Sequence, residues 1–514
     1  MVILERHDQL DLELYRKITS EREPIRVSPE LLSLVDRSRA AMLAHLETGV
    51  PAYGINTGLG YLARRPVRPA DQSEFQRSII LARAAAIGPP LSEPVVRGAM
   101  LLRLMGFLSG HAGVSAALCQ FIADRLNKGW FPVVPAAVSG AAGEIVSLAH
   151  LFQTFVGEGE VLADGEVVAA AGELASAGVD PYELGAKEGL ALINGAPLAP
   201  ALGAQLALRA QTLLEHATLT GALAVAITGA SARPYSARIG ALKGDHGQHR
   251  VHRRLGELLD GAARLQEAPQ APVSLRVIPQ VHGAALDLLE HLRAQLEREL
   301  RAVTDSPVFL PAHDEEPEGL YPSGNFHAQA ITLLLASLSA GVVQVCNLVE
   351  KRLHRLLDSR FSGLPEQLSR EPGLHSGLVI LHKQVIGLAA EARTLAAPAA
   401  IHISDGSTGQ EDFQAHTMLT ALQLARILDA LQAALAHELV ALRQAAELTR
   451  APMPAPLKRA IDELASVVPP IREDRSPAAD VDRARALIAA GSLVAGALRS
   501  EPLLAPLRSA RTQR

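Results

Sequence analysis

Leucine recurs at helical spacing through the second half of the chain, and that repeat restricts the fold more than any other feature. Leu289, Leu292, Leu296 and Leu300 stand three or four residues apart among charged neighbours. Leu424, Leu428, Leu431, Leu435 and Leu442 repeat the pattern. Side chains at that spacing share one side of a 3.6-residue helix, so each run, over 284–302 and 418–448, predicts an amphipathic helix with an apolar stripe to bury. Such stripes need other helices to pack against. Of 514 residues, 48% are apolar but only 3% aromatic, so the apolar mass is Leu, Ala and Val. Ala and Leu are the strongest helix formers. The chain is expected to be mainly α, with a long central helical bundle and a loop-rich N-terminal part.

Three regions follow from the punctuation. Residues 1–200 mix Gly/Pro-rich loops with short helices, 201–450 carry the bundle, and 451–514 form a C-terminal helical layer after the Pro-rich APMPAPLKR at 451–459. YGINTGLG at 53–60 and VVPAAVSGAAGEI at 133–145 read as turn-rich loops. GEGEVLADGEVV at 157–168 reads as a small hairpin around Asp164-Gly165. No internal repeat is present.

Several function classes are excluded on charge and composition. A net charge of −5 gives no basic face to neutralise phosphates, so no nucleic acid is expected as a partner. The sparse basic tail (Arg499, Arg508, Arg511, Arg514) reads as a solvated end. The two cysteines, Cys119 and Cys346, make no disulfide framework, and no clustered Cys/His spacing suggests a metal. The N-terminus is charged from Glu5 and lacks the apolar run of a signal peptide, which makes a cytoplasmic protein the expectation. Ala328 to Leu348 carries no charge and is long enough to cross a bilayer. Its Gln, Thr, Ser and Asn residues, and the lack of a second such stretch, predict a helix buried on all sides and no membrane.

Four segments carry candidate chemistry. In Tyr53-Gly-Ile-Asn-Thr-Gly-Leu-Gly60, glycines let backbone approach a ligand, and the tyrosine could act as acid or base. It matches neither phosphate-binding glycine pattern. Ser139-Gly-Ala-Ala-Gly-Glu144 feeds a helix running to His150, whose first N–H groups could hold an anion. Ser274-Leu-Arg276 precedes Pro-Gln-Val-His282-Gly, and Gly409-Gln-Glu-Asp412 puts a carboxylate pair before a long helix. Alone, that pair more often caps a helix than performs catalysis.

Read together and in order, YGINTGLG, LAHLFQTFVGEGE, KEGLALINGAP, SLRxxPQVHGA, AVTDSP, SGNFHAQ, HSGL and GQED resemble the histidine/phenylalanine ammonia-lyase superfamily, and the bacterial histidine enzymes in particular. The resemblance spans about residues 10–450. It implies an α-helical homotetramer whose active sites are each built from loops of three subunits. It also implies an amino-acid substrate and an electrophile, methylidene-imidazolone, made by cyclising and dehydrating an internal Ala-Ser-Gly. In such enzymes the electrophile makes a weakly acidic β-proton removable by a tyrosine on the YGINTG loop as ammonia leaves. Carried over residue by residue, Tyr53 matches that base and Asn194 the asparagine beside the prosthetic group. Arg276 matches the arginine that grips the substrate carboxylate, and Gln270, Phe326 and Glu411 fall on further site positions, Glu411 facing the substrate. His282 and His327 read as structural.

The departures fall at the chemistry. Counting back from His150, the Ala-Ser-Gly falls on Ala141-Ala142-Gly143, and Ala142 has no hydroxyl to eliminate, so no prosthetic group is expected. Glu144 stands where the family has aspartate. Val273 replaces a tyrosine before Ser-Leu-Arg. Ala82-Arg83 replaces a Ser-His pair near the substrate side chain. Arg83 there would read a second anionic or polar group, or would pair with a glutamate between subunits.

Three readings follow. One is an enzyme using Tyr53 acid/base chemistry, without methylidene-imidazolone, on a small carboxylate-bearing amino-acid-like substrate. Another is a true ammonia-lyase, with Ser139 in the cyclising tripeptide or with an engineered Ser→Ala change at 142. The third is a non-catalytic homologue that binds a ligand or another protein.

Overall fold

The computed structural model describes residues 1–262, 270–449, 452–497 and 502–504. The basic tail residues Arg499, Arg508, Arg511 and Arg514, and Ala451 of the Pro-rich segment, lie outside the described residues. The helices that build the bundle and position the site are α1 (Glu93–Leu108), α2 (Ile145–Phe152), α3 (Leu198–Thr228), α4 (Ile278–Glu299), α5 (Gln329–Leu357), α6 (Val379–Leu395) and α7 (Thr417–Leu448). Helices α8 (Ala455–Val467) and α9 (Ala478–Ala490) follow.

The leucine stripes do what their spacing predicts. Leu289, Leu292 and Leu296 of α4, and Leu424, Leu428, Leu431, Leu435 and Leu442 of α7, are fully buried. The 284–302 helix starts earlier than expected, at Ile278, because Pro279 sits in the first turn, where its missing N–H is not needed. Helices α5 and α7 pack along each other, with α3, α4 and α6 against them. At 31 residues, α3 is roughly 46 Å long and buried around most of its circumference. It stops at Gly229, whose φ of 64° supplies the left-handed cap.

Two expectations about the uncharged stretch need correction. It opens α5, which continues past Leu348 to Leu357, and in the single chain α5 is covered on one side only, with Leu333 of its other face exposed. Nor is it the lone long apolar helix. By length and composition α7, and α3 with the helix before it, also qualify as long and apolar enough to cross a membrane. Charges such as Arg209 and Glu215 in α3 and Asp429 in α7 hide this when the sequence is scanned for uncharged runs.

In the N-terminal part, Glu160–Ala163 and Glu166–Ala169 pair antiparallel around Asp164-Gly165, as the sequence suggests. Both turn residues have positive φ (49° and 86°), as a two-residue hairpin turn matched to strand twist requires.

One polar cluster crosses the bundle core. Arg352 of α5 donates from Nε and Nη2 to the two carboxylate oxygens of Glu438 on α7, each at 2.8 Å. Its Nη2 also reaches Thr220 of α3 at 3.1 Å, and its Nη1 lies 3.4 Å from Nε2 of His282 on α4. The other ring nitrogen of His282 is 3.1 Å from the Thr218 hydroxyl, which itself donates to Leu214. The network therefore suits a neutral imidazole carrying its proton on Nδ1. Burial, and then the Arg352 charge, hold the His282 pKa well below its ordinary value. The unfolded chain takes up this proton below pH ~6.5 and the folded chain does not, so this contribution to stability is lost as pH falls through that value, by up to about 1.4 kcal/mol per pH unit. Between about pH 7.5 and 5.5, the melting temperature of the natural protein should fall further than that of His282→Gln. Equal slopes would mean that His282 is not the titrating group.

Candidate active site

The Tyr53 loop is held by its own short contacts. Asn56 Oδ1 accepts from Ala52 N at 2.7 Å, and Gln76 Nε2 donates to Gly54 O at 2.9 Å. Gly54 has φ +66°, and a Cβ there would meet Leu59 and Leu190 side-chain carbons at 2.6 and 2.7 Å, so only glycine fits. The Tyr53 hydroxyl oxygen accepts from Gly60 N at 2.9 Å, which leaves its own O–H free to point elsewhere.

Arg83 follows the Gln72–Leu81 helix and is half-buried, donating from Nη1 to Ile79 O at 3.0 Å. It forms no ion pair among the described residues. Burial draws its pKa below the ordinary guanidinium value, opposed by nearby Tyr53 and Glu411. The segment carrying it is fixed to α2 by Ala86 N, which donates to His150 Nε2 at 2.9 Å.

Glu411 sits in a tight turn in which Gly406 N donates to Glu411 O at 2.8 Å. It does not cap α7, whose N-cap is His416. Instead Glu411 Oε2 accepts from Ala142 N at 2.8 Å, tying the turn to the Ala141-Ala142-Gly143 segment. That segment, Ser139, Phe326 and His416 line a narrow cavity of about 40 Å³. Phe326 packs on Gly143, where a Cβ would meet its ring at 3.5 Å. His416, with φ 52° and a buried Nδ1 lacking a hydrogen-bond partner, was not singled out by the sequence. It follows GQED by four residues, and nothing in that spacing marks it.

Glu144 has a role the sequence conceals. It precedes α2, but its carboxylate oxygens accept from Leu198 N and Ala199 N, each at 2.6 Å, at the start of α3. A carboxylate suits the positive end of a helix. Burial pushes its pKa up to about 8, while those two N–H groups and Arg103 pull it down. Glu144 thus supplies an anion from within the chain to the start of the neighbouring helix. Asn194, at the end of the Glu188–Ile193 helix, donates from Nδ2 to Ser306 O at 2.6 Å. Its carbonyl accepts from Arg103, which also pairs with Asp305 at 2.8 Å.

The structure therefore gathers Tyr53, Arg83, Glu411, Ala142 and Phe326, while Asn194 is held by Ser306 and Arg103. It does not bring Arg276, Gln270 or Val273 to them. Arg276 donates from Nε to Ala271 O at 2.9 Å and lines, with Gln270, a separate cavity of about 1060 Å³. That cavity also holds Arg233, Arg355 and Arg360 and shares no lining residue with the first. Val273 is exposed beside it.

Residues 10–467 match the model of a family described as aromatic amino acid lyase. A histidine ammonia-lyase of Symbiobacterium thermophilum is 35% identical over 476 residues, covering 91% of this chain and 93% of the relative. Among solved structures, histidine ammonia-lyase from Trypanosoma cruzi matches with a TM-score of 0.88 at 28% identity, over 97% of this chain and 95% of that one. Tyrosine aminomutase from Streptomyces globisporus matches at 0.89 and 28% identity, over 96% and 98%.

Proposed function

The chain belongs to the aromatic amino acid lyase family, and from that premise we propose that it breaks or forms a carbon–nitrogen bond in a small carboxylate-bearing, amino-acid-like substrate without methylidene-imidazolone. Ala142 carries this reading. The family's electrophile needs a serine hydroxyl to lose as water, and position 142 offers a methyl group whose own N–H is donated to Glu411. The residues present do not fit that group.

What the chain keeps is a proton-transfer site and cationic anchors. In the elimination direction Tyr53, as phenolate, takes a proton from the carbon adjoining the C–N carbon, the released C–H pair becomes the new C=C bond, and the C–N pair leaves with the amine, so no oxidant is needed. Without an electron sink, that carbon must be more acidic, or the leaving group better, than in a plain amino acid. Arg83 is half-buried with no ion pair among the described residues, and it suits a second anionic group on the substrate. Arg276, in a cavity lined by three other arginines, suits a carboxylate. A homotetramer would reconcile the two separate cavities, because copies of the chain could complete each other's sites. It would also cover Leu333 of α5 and Ile380 and Ile386 of α6, which are exposed in the single chain.

A second reading is favoured by the 35% identity to a histidine ammonia-lyase over nine-tenths of this chain. It requires ammonia-lyase chemistry from a tripeptide around Ser139, which lines the same cavity. Intact mass of the protein expressed from the unaltered gene separates the two. The encoded mass is expected, together with tighter binding of anionic amino-acid analogues than of phenylalanine. A mass short by two waters, with ammonia released from histidine, would instead establish the second reading.

A further inference from the structure

Away from both cavities, helices α5 and α6 face each other across three groups that can bind a metal. Glu350 and His354 stand one turn apart on α5 and so share a face. His382 projects from α6, with Nε2 2.8 Å from Glu350 Oε1. The rings of His354 and His382 stack with centroids 4.6 Å apart and planes 14° apart. One ligand atom from each of the three residues lies within 4.8 Å of the others. Sequence spacing gave no hint of this, because the third group lies on a different helix, 28 residues beyond His354.

We propose that Glu350, His354 and His382 form a site for one divalent transition-metal ion, zinc by donor type, that staples α5 to α6. Two imidazoles and a carboxylate are the donors of known three-residue zinc sites, which leave a fourth position for water. The set is too nitrogen-rich for magnesium or calcium. Donor atoms around tetrahedral zinc sit roughly 3.3 Å apart, so closure needs only a modest side-chain adjustment. The exposed His354 can make it and gives an ion access to the site.

Ligand histidines must be unprotonated. The opposing charges are Arg355, beside His354 in the chain, and Lys351. Lys351 places its Nζ 2.7 Å from Glu350 Oε2. It holds the carboxylate oxygen that does not face His382, and its side chain is 58% exposed, free to turn away. Arg393 is occupied with Asn347 Oδ1 at 2.7 Å. Cys346, one turn before Glu350, is buried with its thiol pKa pushed up to about 12, and so stays a neutral packing group.

The test uses full-length protein stripped with a chelator and titrated with zinc chloride by calorimetry, with bound metal counted after dialysis. One zinc per chain is expected, with a rise in melting temperature and no response to magnesium. His354→Ala and His382→Ala should each weaken zinc binding at least tenfold while metal-free melting stays near that of the natural protein. No stoichiometric zinc, or affinity unchanged in both variants, would overturn the site and leave a plain Glu350–His382 hydrogen bond.

Discussion

Tyr53→Phe is expected to lower turnover by about 10²–10⁴-fold while leaving the affinity for a carboxylate ligand unchanged. The substitution removes one oxygen and keeps the ring, so the loop loses only the acceptor for Gly60 N. Tyr53 is 39% exposed, and water can take over that N–H at little energetic expense. The geometry of the loop rests instead on Asn56, Gln76 and the glycine at 54. The loss should therefore appear in kcat, measured as initial rate on the substrate that the anionic panel identifies, with ligand affinity followed by calorimetry. Unchanged turnover would remove Tyr53 from the chemistry. Parallel loss of turnover, affinity and melting temperature would give it a purely structural role.

The second large effect is on stability. Arg352→Met should destabilise the fold by about 3–5 kcal/mol, because it strands the Glu438 carboxylate in the core without its partner. Both side chains are at most 1% exposed. Arg352→Met with Glu438→Leu should recover most of that loss, since removing both charges also removes the desolvation penalty. Denaturant midpoints at a fixed protein concentration, followed by circular dichroism, read both variants. A double variant no better than the single one would show that the ion pair, and not the stranded charge, holds the four helices together.

The same pair shows why the sequence was legible in some places and silent in others. Leucine spacing announced the buried faces of α4 and α7 because period and burial are both local properties. Arg352 lies in the run EKRLHR at 350–355, which locally reads as a solvated face. Its burial depends on Glu438, 86 residues away, and on Thr220 and His282 from two other helices. The candidate site divides likewise. The family motifs pointed to Tyr53, Glu411 and Ala142, and the chain brings those together. Motif order carries no distances, so it could not foresee that Arg276 and Gln270 face a different cavity within one chain. Nor could it assign Glu144 to α3, because the contact is a side chain on backbone 54 residues away.

That contact bears on redesign. Glu144 spans to two backbone N–H groups at once, and an aspartate is one carbon–carbon bond, about 1.5 Å, shorter. A serine placed at position 142 would therefore sit in a segment anchored by a longer acid than the resemblance implies for the family. On the proposed reading, the two positions act as a coupled lock. Ala142→Ser and Glu144→Asp made together, and neither alone, are then the design that would supply both the hydroxyl and the shorter anchor.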